Sequence, residues 1–413
     1  MTPPPISVEE ARVAAAAFDI KRLPAGFIDD PFPIYRALRE HAPVKDQADG
    51  SVVLTRYADI EAVYKDAAAF SSDKKREFGA KYGDTPLFEH HTTSLVFNGP
   101  PLHSRVRRIL TGALNPRAIA AMEPALVALV DRLLDAAASK GRIDLIEEYA
   151  AAVPIEVIGN LLGVPPDERG PLRAWSLAIL GALEPVLTPE QEARGNQAVT
   201  DFLTYLTTLV ARRRKTLLDP EQDVLSRLIV GENGGEKLSE KELLHNCIFL
   251  LNAGHETTTN LIGNGLVALA QWPAERARLI ANPGLMRSCV EEVLRFESSN
   301  QLGNRITTRE VEAGGVKLAA LTPVHLVIGA ANRDPAQFPD PDRFDIGRDP
   351  NRHLAFASGP HQCVGLSLAR LEGRIAIGQF LARFPDYALD GVLVRSPRAR
   401  FRGFLSVPVT LGR

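Results

Sequence analysis

Apolar residues recur at helical spacing through most of the chain after Pro116. The stretch "AIAAMEPALVALVDRLLDAAASKG" carries them on one stripe and stops at Gly141. "EQEARGNQAVTDFLTYLTTLVARRRK" does the same and closes on Arg212, Arg213, Arg214 and Lys215. That basic run suits the negative end of a helix dipole and reads as a solvated helix end. Earlier, "DDPFPIYRALREHAPV" passes from coil into a short helix, "SVVLTRY" predicts a strand, and "ADIEAVYKDAAAF" returns to helix. Between Ser71 and Phe97 the pattern dissolves, which predicts a long loop, of a kind that is functional or mobile. The final third changes texture. Short β-like pieces ("GGVKLAA", "TPVHLVIGA", "SVPVTL") alternate with turns. "ANRDPAQFPDPDRFDIGR" is too rich in proline for regular structure, so side chains must hold it, and Arg343 is a candidate. No tandem repeat or linker divides the chain. The pattern predicts one mostly helical domain, residues 1–413, with a small β portion.

One predicted helix stands apart. Ser239 to Gln271 is apolar on nearly every face, as in a helix buried inside a large protein. Ser239 and Glu242 form a capping-box pattern at its start. Its centre, "AGHETT", breaks the apolar run. Gly254 lowers helix stability by roughly 1 kcal/mol against Ala. Glu256 puts a carboxylate where Leu or Ala would pack, which is unfavourable unless the acid is paired or used. Thr257 can bond back to the carbonyl one turn earlier. These residues fit either a self-satisfied kink or a site holding an acid and a hydroxyl.

Composition narrows the class. Charge is nearly balanced, 48 basic against 50 acidic residues, so nothing points to nucleic acid or an anionic membrane surface. The three cysteines are too few and too scattered for a disulfide framework and fit a reducing compartment. The N-terminus lacks the pattern of a signal peptide, and no apolar run is long enough to span a bilayer. A soluble, cytoplasmic protein is expected.

The rarest chemistry lies in "FASGPHQCVG", Phe356 to Gly365, directly before a helical stretch. A helix N-terminus favours thiolate over thiol. Gly359 and Gly365 allow close approach to the backbone. Cys363 could act as a nucleophile with His361, join His353 and His361 at a zinc ion with a fourth ligand missing, ligate haem iron, or sit inert. Upstream, Glu292 and Arg295 in "EEVLRF" share a helical face, the spacing of an ordinary surface pair.

Taken together, these motifs resemble a cytochrome P450 of the soluble bacterial kind, over nearly the whole chain. "FASGPHQCVG" is similar to the haem-thiolate loop, "AGHETT" to the oxygen-activation motif, and "EEVLR" with "PDRF" to the Glu–x–x–Arg pair and its arginine partner. Ala357 stands where the family usually has glycine. The resemblance implies a mainly α, helix-rich triangular prism with small β-sheets. It implies haem b held by Cys363, with Phe356, Gly359 and Ala253 against it. From "GPPLHSRVRR", "NRITTREVE" and "HLAF" it implies His103, Arg107, Arg305 and His353 at the propionates. Gly254, Glu256 and Thr257 would be catalytic, the acid and the alcohol relaying protons. Glu292, Arg295 and Arg343 would be structural.

The implied reaction is monooxygenation: one atom of O2 enters a small or medium hydrophobic substrate, the other leaves as water. Electrons would come from a ferredoxin fed by an NAD(P)H-dependent reductase, docking where Arg107, Arg108 and Arg370 offer positive charge. A monomer is expected. Phe97, Phe249, Asn252, Ala253, Gln301, Leu302 and Phe401 would line the substrate pocket. A peroxide-driven peroxygenase and a non-catalytic haem sensor are the alternatives. The intact Glu256–Thr257 pair argues against both.

Overall fold

The computed structural model describes residues 7–220, 223–231 and 237–412. Internal contacts group the chain into two compact units. The first comprises Met1–Ser72, Ser288–Cys363 and Arg395–Gly403; the second comprises Asp73–Arg287, Val364–Val394 and Phe404–Arg413.

The first unit is built on a five-stranded sheet. Its order is Val44–Asp46, Val52–Leu54, Pro323–Val327, Leu302–Thr307, Phe70–Ser71. Val52–Leu54 pairs parallel with Pro323–Val327 and the other neighbours are antiparallel. The β-branched residues of "SVVLTRY" and "TPVHLVIGA" supply its centre, as their pattern predicts. One face packs on Tyr57, Ile60 and Val63 of the helix Tyr57–Lys65. A second cluster joins Val53, Leu302 and Val327 to Leu38 of the helix Phe32–His41. The proline-rich tail from Pro335 to Pro350 has no helix or strand, as expected.

The second unit is helical. Its centre is the 32-residue helix Glu240–Gln271, which opens on the expected capping box of Ser239 and Glu242. Glu242 also pairs with Arg105. Helices Ala152–Leu161, Leu172–Gly181, Pro189–Lys215 and Leu366–Arg383 pack against it. The run Arg212–Lys215 is a mostly exposed helix end, as expected, with Arg212 pairing to Glu168 and Arg214 to Glu240; Arg213, paired with Asp223, is the half-buried exception. The predicted loop Ser71–Phe97 holds two helices, Lys75–Tyr82 and Pro86–Thr93. Each is eight residues, about two turns, too short to show a period. Aromatic packing among Phe78, Tyr82, His91 and Phe97 holds them together. Among the described residues, no helix is long and apolar enough to cross a membrane.

Candidate active site

In the first unit the cysteine loop is fixed by its own backbone. The Cys363 N–H donates to the Phe356 carbonyl at 2.9 Å, Gln362 to Gly359 at 3.0 Å, and Ala357 to Leu354 at 2.8 Å. Gly359 has φ +68°, and a Cβ there would collide with the Tyr64 carbonyl oxygen. Glycine is therefore required by the turn itself. Ala357 lies in the same left-handed region at φ +55°, where its methyl group is strained by roughly 1 kcal/mol. Cys363 is half-buried, whereas Cys247 and Cys289 are buried. Burial pushes the Cys247 thiol up to about 12, the behaviour of an inert core residue.

The Glu292–Arg295 pair is fully buried, not superficial. Arg295 donates to both Glu292 oxygens at 2.8 Å and to the carbonyls of Asn332, Pro341 and Arg343. Asn332 in turn accepts from the Leu354 N–H at 2.7 Å, two residues before Phe356. So the pair anchors the tail that ends in Cys363. Arg343 was the expected third member, but its side chain is exposed and only its carbonyl takes part. Arg348 instead reaches Glu292 at 3.3 Å, joined by Asn351 at 3.0 Å. Sequence could not choose between two arginines five residues apart in a segment without period.

His353 also departs from expectation. Its Nε2 meets Glu291 Oε2 at 3.1 Å and its Nδ1 accepts from the Ala355 N–H at 3.3 Å. Both ring nitrogens are engaged by the loop's own support, which leaves none for a propionate. Among the described residues, no group of three or more His, Cys, Asp or Glu side chains could hold a metal ion, so the zinc reading has no support.

Arg305 behaves differently. Its guanidinium is buried, donates to the Asn304 carbonyl at 2.7 Å and lies over the Tyr64 ring at 4.9 Å. Burial, offset partly by Tyr64, lowers its pKa. Among the described residues no carboxylate pairs with it, so it is a buried cation suited to an anionic group. Leu302 is core, and Phe401 is buried in a β-bridge with Asn300. Gln301 donates its N–H to the Arg400 carbonyl and its Nε2 to the Ser298 carbonyl, and packs on Gly329. These contacts place Gln301 in the packing of this unit.

In the second unit the central helix is buried almost throughout its middle. Phe249, Ala253 and Thr257 are half-exposed, with Gly254 beside them. Their four-residue spacing makes one accessible stripe along one face. Asn252 and the buried Glu256 border it. The Thr257 hydroxyl donates to the Ala253 carbonyl at 2.6 Å, and Thr259 to the His255 carbonyl at 3.0 Å. Gly254 has a packing reason: a Cβ there would collide with Ile158 of helix Ala152–Leu161. His103 is buried and Arg107 half-buried one turn on along the helix Leu102–Ala113. Phe97 packs edge-on against Phe78 with centroids 4.9 Å apart.

Comparison with known proteins bears on the family and the fold. A family model described as "Cytochrome P450" matches residues 176–388. The biotin biosynthesis cytochrome P450 of Bacillus subtilis (strain 168) is 35% identical over 391 residues, 93% of this chain and 97% of that one. The chain belongs to the cytochrome P450 family. The vitamin D(3) 25-hydroxylase of Pseudonocardia autotrophica is 38% identical, over 94% of this P450 and 95% of the relative. P450BioI, solved with acyl carrier protein ligated to hexadec-9Z-enoic acid, superposes with a TM-score of 0.89 at 34% identity, covering 94% of this chain and 100% of that one. The fold is therefore the P450 fold, mainly α with small sheets. The chain is a P450 monooxygenase, and haem b bound through a cysteine thiolate is the family's cofactor. The residues fit that group. Cys363 is the accessible thiol of the three, on a loop that only glycine at 359 permits, and Arg305 is a buried cation without a carboxylate.

Proposed function

We propose that this P450 works as one domain over residues 1–413 and oxidises a small or medium hydrophobic organic molecule with O2. Its electrons come from a ferredoxin and an NAD(P)H-dependent ferredoxin reductase, in the cytoplasm. Cys363 would hold the haem iron through its thiolate. Arg305, His103 and Arg107 would hold the propionates, and Phe356, Gly359 and Ala253 would lie against the haem. When bound, thiolate-ligated haem supplies the activation of dioxygen, one atom for substrate and one for water.

The chain's own contribution is proton supply and a dry cleft. Glu256 is a buried acid beside the half-exposed Thr257 hydroxyl, the arrangement that carries this reading. At rest the Thr257 proton is held on the Ala253 carbonyl. The hydroxyl must release that bond to hand a proton across, after which Glu256 restores it. Gly254 supports this by letting Ile158 close against the helix. Phe97, Phe249, Asn252 and Ala253 line the substrate side. Relatives that bind a fatty-acyl carrier protein or hydroxylate vitamin D(3) support a hydrophobic substrate class. Exposed Arg108, with Arg107 and Arg370, supplies the charge for an acidic ferredoxin.

The test is NADH consumption and product formation with a ferredoxin system. Thr257→Ala should still consume NADH but release hydrogen peroxide, with product per NADH down about tenfold or more. Unchanged coupling would remove Thr257 from the relay. Turnover with peroxide alone, and none with ferredoxin, would favour a peroxygenase.

A further inference from the structure

The central helix carries four buried asparagines, Asn246, Asn252, Asn260 and Asn264, and the first two mark opposite extremes. Asn246 is fully satisfied: its Oδ1 accepts from the Leu95 N–H at 3.1 Å and its Nδ2 donates to the Glu242 carbonyl at 2.8 Å. Asn252 is 2% exposed, and among the described residues neither its Oδ1 nor its Nδ2 has a hydrogen-bond partner. Unlike Asn246, it does not bond back to the carbonyl one turn earlier. The hydroxyl of Thr257 is committed to Ala253 and does not serve it.

A buried carboxamide with both ends unmet is among the more unfavourable groups a helix can carry. Leucine has nearly the same shape and would bury at no such penalty. Asn252 borders the accessible stripe of Phe249, Ala253 and Thr257. A partner arriving on that stripe must meet an acceptor and a donor together. A carbonyl alone satisfies Nδ2 and leaves Oδ1 unmet. A carboxylate does the same and faces Oδ1 with like charge. A hydroxyl both donates and accepts.

We infer that Asn252 is a specificity-determining residue whose carboxamide hydrogen-bonds a hydroxyl group on an otherwise apolar substrate. This rests on the reading of that stripe as the substrate side of a P450 site. It also narrows the substrate class, because plain hydrocarbons are disfavoured relative to alcohols of the same skeleton. The site's polarity is then set by one amide, with shape left to Phe249 and Phe97.

The experiment uses holoenzyme, wild type and Asn252→Leu, with cyclododecanol, cyclododecanone and cyclododecane as probes followed by the substrate-induced shift of the haem spectrum. Wild type should bind the alcohol about tenfold more tightly than the hydrocarbon, with the ketone between them. In Asn252→Leu the alcohol-to-hydrocarbon ratio should fall to about one. A second readout needs no ligand. With the unmet amide gone, ligand-free Asn252→Leu should melt about 2 °C higher than wild type. An alcohol that binds no better than the hydrocarbon, or not at all, overturns the inference. So does an unchanged ratio in the variant, or a lower Tm, which would make Asn252 a structural residue. The reduced carbon-monoxide spectrum is recorded for both proteins. Loss of its thiolate signature in wild type would sink the P450 site reading itself, a failure distinct from that of the Asn252 assignment.

Discussion

Ala357 shows how far single residues could be read ahead of the fold. The departure from glycine was visible in "FASGPHQCVG", and its physical meaning is the φ of +55° that an L side chain resists. Ala357→Gly should therefore stabilise the holoprotein by roughly 1 kcal/mol in a denaturant titration, less what glycine's freer unfolded chain returns. A loss of stability would mean that the methyl contact with the sheet's core outweighs the strain. Glu372 was invisible by comparison. Nothing in "LARLEGR" sets it apart from the arginines on either side. In the structure it is buried on helix Leu366–Arg383, its Oε2 has no hydrogen-bond partner, and burial alone pushes its pKa up to about 8. A carboxyl whose folded pKa lies above its unfolded value gives stability that is complete below about 4.5 and lost as pH rises through about 8. The loss by pH 9 is on the order of 5 kcal/mol, and Glu372→Gln should abolish most of it. Thermal melts of both proteins from pH 5 to 9 check this. Parallel curves would show that the carboxyl is not buried neutral.

Elements were legible in proportion to their length. The helix Glu240–Gln271 announced itself through its capping box and its unbroken apolar run, and even its polar centre pointed to the stripe that matters. The helices Lys75–Tyr82 and Pro86–Thr93 did not, because tertiary aromatic packing rather than pattern makes them. Their attachment to the central helix has a pH dependence that sequence gave no sign of. His90 and His91 sit on Pro86–Thr93, His245 on the central helix, with His90 centroids 5.0 Å from His91 and 5.6 Å from His245. Burial, opposed by Glu89, pulls His245 down to about 4; burial, then His91 and His245, pull His90 well below its usual value. The folded state thus binds fewer protons than the unfolded one between about pH 6.5 and 4, and stability falls as pH drops through that window. His245 alone accounts for about 3 kcal/mol. Hydrogen exchange should show the amides of Pro86–Thr93 opening earlier at pH 5 than those of Leu366–Arg383, relative to pH 7. Equal acceleration of both would refute a local effect of the histidines.

At the scale of the molecule, motif order carried the most information. Short motifs that were ambiguous singly, such as a thiol that could be nucleophile or ligand, became specific when read in sequence from His103 to Cys363. Which side chains complete the buried network was not legible, because Arg348 acts from a segment with no period and Asn332 acts through its side-chain and main-chain oxygens. The residues assigned to haem and proton supply are spread along the sequence from His103 to Cys363, so no single stretch of the chain could have declared them. The account stands on Cys363 being the ligand of the iron, and the reduced, carbon-monoxide-bound protein tests that most directly. The wild type should show the red-shifted Soret band of thiolate ligation, and Cys363→His should lose it while keeping haem. A folded, haem-loaded wild type without that band, or a Cys363→His variant that retains it, would contradict the assignment.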